Sequence, residues 1–191
     1  MKIFKKLPFL SIVLFLFSCD KGSEIVSIDL TAIWEADQQT ITDYINENDL
    51  SPVVTTTSGA SYIIQDFGTG DAINYNDILT LNYTGYDLNG VAFVSTINPP
   101  DSVYHIYAVY NPLTFTYTKS GWTLKYTPLV STLSGDGMIE ALTDALIEMK
   151  KDGQLTVLLP SQLGFGAQSD PSQIISRYSV LRYEISPVVI R

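Results

Sequence analysis

The sequence holds one cysteine, Cys19, and one histidine, His105. A single thiol excludes a disulfide within the chain, and the pair cannot build a Cys/His zinc set. A Ser-His-Asp arrangement has only His105 to draw on, and no nucleophile elbow surrounds it. Positive charge is also scarce: 11 Lys and Arg against 20 Asp and Glu give a formal net charge of −9. Lys2, Lys5 and Lys6 stand at the very start, so the remainder is more acidic still. Nucleic acid binding needs clustered cations, which excludes a nucleic-acid partner. No metal and no cofactor are expected. The N-terminal apolar run, residues 7–17, falls short of the roughly 20 residues that span a bilayer.

What is present begins at that run. Three lysines, then LPFLSIVLFLF, then Leu16-Phe17-Ser18-Cys19, have the layout of a secretory signal ending in a lipobox. Residues 1–18 therefore read as a lipoprotein signal peptide, with Cys19 as the lipidation site. A second acyl chain on the new amine would make the anchor stable, because one chain alone binds marginally. This places the body at a bacterial membrane, facing the periplasm or the cell exterior. Residues 19–57 read as a tether and an N-terminal helix, with the helix over 32–48 and Ile33, Trp34, Ile41, Tyr44 and Ile45 on one face.

Hydrophobic residues make up 46% of the chain, and the 12 Tyr and 8 Phe favour strands. From residue 58 the pattern alternates. Leu79, Leu81 and Tyr83 share one face of a strand, Asn89-Gly90 signals a hairpin, and Val91 and Phe93 follow it. Residues 97–137 are irregular and Tyr-rich, with Phe115 and Tyr117 in a strand. Residues 138–149 have helical spacing, with Glu140, Asp144 and Glu148 pointing outward. A buried strand over 155–159, a Gly- and Ser-rich loop and a closing strand carrying Leu181, Tyr183 and Ile185 complete the chain. One helix against a largely antiparallel sheet is an α+β arrangement.

Three segments carry a family likeness. LTLNYTGYDLNGVAF (79–93), MIEALTDALIEMKKDGQLTVLLPSQLGFG (138–166) and SVLRYEI (179–185), in this order, resemble the FKBP-type peptidyl-prolyl isomerases. The likeness runs over 58–191 and is interrupted by an insertion at about 95–137. It implies a bent antiparallel β-sheet wrapped around one main α-helix, to which the N-terminal helix is added, with an apolar pocket between sheet and helix.

The implied activity is prolyl isomerisation. Peptide-bond rotation is opposed by about 18–20 kcal/mol of amide resonance, and no bond is made or broken. A catalyst need only bind the twisted amide better than the planar one. An apolar aromatic pocket does this without metal, nucleophile or acid-base pair.

The resemblance also assigns positions. Tyr83, Phe93, Ile139, Phe165 and Tyr183 fall at catalytic places, with the backbone amide of Ile139 gripping a substrate carbonyl. Val94, Leu113, Leu142 and Ile175 fall at substrate-binding places. Departures are several: Val94 stands where the family has an Asp, Leu142 replaces the floor Trp, Phe165 replaces a Tyr, and Ser176-Arg177 replaces Pro-Pro. Taken from periodicity alone, Tyr83 and Phe93 are strand aromatics and Ile139 and Leu142 are core residues. Two functions remain open: an anchored isomerase or folding helper acting on proline-containing clients, or a non-catalytic module that holds a partner protein.

Overall fold

The computed structural model describes residues 27–74, 76–97, 112–118, 121–124, 131–170 and 173–191. The stretch read as a signal peptide, Cys19 and His105 lie outside them.

The first element among the described residues is α1, Leu30–Glu47, which starts two residues before the sequence suggests. Asp29 sets that start: its carboxylate accepts from the Thr31 and Ala32 amides, filling two donors that a helix leaves open. Among the described residues eight strands follow: β1 Val54–Thr55, β2 Ser61–Asp66, β3 Ile78–Asp87, β4 Ala92–Ser95, β5 Leu113–Thr118, β6 Gly121–Leu124, β7 Gln154–Leu159 and β8 Leu181–Ile190. The second helix, α2, spans Asp136–Leu146, between β6 and β7. The sheet order is β1-β2-β7-β8-β3-β5-β6, with β4 on β3, and every pairing is antiparallel. This is the expected α+β fold.

Period-2 alternation sorts the side chains. Leu79, Leu81 and Tyr83 of β3, Leu155 and Val157 of β7, and Tyr183 and Ile185 of β8 join Met138, Leu142 and Leu146 of α2 in one core. Leu113 and Phe115 enter the same core, because β5 pairs with β3 at Leu81–Leu113 and Leu79–Phe115. Part of the range read as an insertion is thus a hairpin of the main sheet. Its alternation, Leu-Thr-Phe-Thr-Tyr-Thr, is that of an ordinary half-buried strand.

The opposite face of the sheet is covered as well. Ile41 of α1 packs with Ile63, Leu158 and Val180 in a second buried cluster. Further contacts hold α1 in place. Gln38 Nε2 donates to the Gly59 carbonyl at 3.1 Å, and Gln162 Nε2 donates to the Leu30 carbonyl at 2.6 Å. A Cβ on Gly59 would lie 2.4 Å from the Trp34 ring, so only glycine lets the indole sit there. Its φ of +87° also favours glycine. The N-terminal helix is therefore packed into the domain it precedes.

Asp144 of α2 and Glu148 just after it are exposed, as the spacing predicts, whereas Glu140 is half-buried. Its carboxylate accepts from the amides of Thr57 and Ser58 at 3.0 and 2.9 Å, tying the turn before β2 to the helix. Hydrogen bonds from Ser58 and Thr57 hold its pKa down to about 2.

Candidate functional site

Tyr83 lies near the middle of β3. Its backbone is fixed by Thr96, whose hydroxyl accepts from the Tyr83 amide at 2.9 Å and whose amide donates to the Tyr83 carbonyl at 3.0 Å. Two residues on, Gly85 pairs with Val94 across the β3–β4 ladder and with Tyr183 across β3–β8. The β4 register shifts beside it, so Phe93 has no direct partner on β3. Such a bulge re-aims a side chain. A Cβ on Gly85 would lie 2.7 Å from Tyr183 Cε1, 2.8 Å from Phe93 Cζ and 2.8 Å from Val94 Cγ1. Glycine is thus the condition for these three side chains to meet.

The rings close on one another. Phe93 stands edge-on to Tyr183 at 5.8 Å and to Phe165 at 5.6 Å between centroids, a favoured geometry for aromatic pairs. Tyr83 and Phe93 are each 2% exposed and Tyr183 is fully buried. Leu113, Leu142 and Ile175 are buried in the same core, while Ile139 and Phe165 pack against it half-exposed. Of the sequence-assigned positions, all nine outside the signal region join one cluster.

The polar groups are few. The Tyr183 hydroxyl makes a short hydrogen bond with Thr132 Oγ1. Burial raises the Tyr183 phenol well above its ordinary value, with Tyr83 and Asp170 adding to the rise. Burial raises Tyr83 to about 12. Asp170 is 2% exposed, and its Oδ1 accepts from the Ile175 amide at 2.5 Å. Neither Asp170 nor Thr132 stood out in the sequence. Asp170-Pro171 signals a turn, but nothing in it says that the carboxylate turns inward beneath Ile175.

One assigned role differs from the geometry. The Ile139 amide donates to the Gly135 carbonyl at 3.0 Å as an ordinary helical bond. The helix begins at Asp136 rather than at 138, which places Ile139 a full turn inside it. Its amide is engaged, whereas the resemblance implies a free donor. Among the described residues, no group of three or more His, Cys, Asp or Glu is placed to hold a metal ion.

The family model described as "FKBP-type peptidyl-prolyl cis-trans isomerase" matches residues 70–187, more than half of the chain. The chain belongs to this family. Residues before 70, including α1, β1 and β2, lie outside the matched range. Three solved structures are similar. FkpA from Escherichia coli is 20% identical with a TM-score of 0.49, over 84% of this chain and 60% of that one. A peptidyl-prolyl cis-trans isomerase from Pseudomonas syringae pv. tomato is 17% identical, TM-score 0.47, over 86% and 97%. AtFKBP13 is 20% identical, TM-score 0.48, over 74% and 100%. The chain spans less than two thirds of the length of FkpA. No curated protein matches the sequence.

The nine positions assigned by the resemblance thus lie in one hydrophobic cluster. Val94 and Phe165 place carbon where the resemblance implies oxygen. Leu142 is fully buried, at the position where the resemblance implies a larger ring. Chemically the cluster offers the edge of half-exposed Phe165 over buried aromatic rings, with the Tyr183 hydroxyl engaged by Thr132.

Proposed function

We propose that this chain is a slow, membrane-tethered prolyl isomerase and folding helper for exported polypeptides. The observation that supports it most is the meeting of Phe93, Val94 and Tyr183 about Gly85, with Phe165 edge-on to Phe93 and Tyr83 in the same core as α2. A proline ring entering between Phe93 and Phe165 would replace ring–ring contact by ring–proline contact, in a dry setting that favours the less charge-separated twisted amide. Two polar contacts are missing at Val94 and Phe165. Each neutral hydrogen bond is worth about 0.5–1.5 kcal/mol, so the rate falls by roughly ten- to a hundredfold relative to a site that has both.

Isomerisation of a panel of X-Pro peptides by the full chain tests this. The wild type is expected to accelerate exchange measurably, and Phe165→Tyr, which restores a hydroxyl, to accelerate it several-fold more.

One observation favours a second reading, a non-catalytic module that holds a partner protein. The rings of Tyr83, Phe93 and Tyr183 are sealed and the Ile139 amide is engaged. Failure of both proteins to catalyse exchange, beside suppression of client aggregation, would decide for it.

The tether rests on Cys19 and the run before it. Cys19→Ala is expected to move the protein from the membrane fraction to the soluble one and to abolish labelling by a fatty acid. Retention of both membrane and label would contradict the anchor.

A further inference from the structure

The loop that carries Phe165 begins at Pro160-Ser161, where a short 3-10 helix, Ser161–Leu163, leaves β7. Every polar group of Ser161 is engaged. Its carbonyl accepts from the Gly164 amide at 3.0 Å and from the Gly166 amide at 2.8 Å. These two amides flank Phe165, so the Ser161 carbonyl fixes both ends of the turn that presents the ring. The Ser161 amide and hydroxyl donate at 2.8 and 2.6 Å to a single acceptor, Asp37 Oδ2. Asp37 belongs to α1, 124 residues away in sequence. It is 6% exposed and lies on the buried side of a helix that the family match does not cover.

A buried carboxylate needs such partners, since an ion removed from water without them is heavily penalised. Two donors from one serine satisfy that oxygen, and both charge-assisted bonds are stronger than neutral ones. The pair therefore fixes the backbone of Ser161 more firmly than water would. The Leu163 side chain adds a contact on the far side, close enough to Gly137 of α2 that a Cβ there would lie 2.6 Å from Leu163 Cδ1. Asp37, Ser161, Phe165 and Phe93 form a continuous line from α1 to the aromatic cluster.

We infer that Asp37 is a positioning residue for the aromatic site: through Ser161 it sets the Phe165 turn, so that α1 completes the isomerase site. This rests on the isomerase reading above for its catalytic consequence but not for its structural one. Displacements of an ångström near a reacting group change rates by orders of magnitude. Loss of the brace thus acts on catalysis at a distance.

The experiment uses the full chain and four proteins: wild type, Asp37→Ala, Asp37→Asn and Gln38→Ala. Gln38→Ala loosens α1 at Gly59 without touching Ser161, and controls for helix docking alone. Two readouts are taken well below each variant's unfolding temperature: hydrogen exchange at the Gly164 and Gly166 amides, and kcat/KM on an X-Pro peptide. Asp37→Ala is expected to speed both amides, and to lower kcat/KM by about tenfold. Asp37→Asn keeps an acceptor oxygen for both Ser161 donors and is expected to recover most of each loss. Gln38→Ala is expected to lower the unfolding temperature with exchange and kcat/KM unchanged. The inference is overturned if Asp37→Ala behaves as Gln38→Ala does. Should the wild type show no isomerase activity, the isomerase reading fails, and exchange at Gly164 and Gly166 alone decides whether the brace exists.

Discussion

At Gly85 the absence of a single methyl group lets three side chains from β4 and β8 share one point. The neighbouring hydroxyl of Tyr183 is equally specific, because it is buried against Thr132. Tyr183→Phe leaves Thr132 Oγ1 without that partner and is expected to lower stability by about 1–3 kcal/mol in denaturant unfolding. An unchanged unfolding midpoint would count against that bond. Tyr83 makes a pH prediction. Its pKa is raised by burial from 10.0 to about 12, so the folded state holds the proton more tightly than the unfolded one. That stability is fully present below pH 10 and is lost as pH rises towards 12. Tyr83→Phe should lessen the alkaline loss in this window, the part due to the buried Tyr183 phenol remaining. The aromatic positions were legible because strand alternation and the Tyr-Thr-Gly and Asn-Gly motifs fix their face. Asp37 was not, because an acid among polar residues reads as a solvated position. Only the location of Ser161 reveals its partner.

At the scale of elements, the two helices depart from expectation in informative ways. The apolar spacing of α2 predicted its buried face, with Met138, Leu142, Ala145 and Leu146 all inside. It did not predict the start at Asp136, because Gly135 and Gly137 are poor helix formers. Those two extra residues are what engage the Ile139 amide, by bringing the Gly135 carbonyl under it. The apolar face of α1 was also visible in sequence, though not what it covers. Ile41, 2% exposed, sits on Ile63 and Leu158 across the outer face of the sheet. Ile41→Ala is expected to lower stability by about 2–5 kcal/mol, as large-to-small core changes do. A change near zero by calorimetry would mean that α1 is a loose appendage.

At the scale of the whole molecule, the sheet is sandwiched between two helices, one on each face. α2 backs the aromatic cluster, and α1 braces the loop that closes it. Fold class followed from element order and periodicity, while the strand pairings that bring β4, β5 and β8 to β3 are long-range and leave little local trace. The central claim remains that the aromatic cluster turns a prolyl bond. It is tested most directly by the cis–trans exchange rate of X-Pro peptides in the presence of catalytic amounts of the full chain, beside Tyr83→Ala and Phe93→Ala. The account predicts faster exchange with the wild type and loss of most of that acceleration in both variants. An exchange rate that is the same with and without the wild-type protein would contradict it.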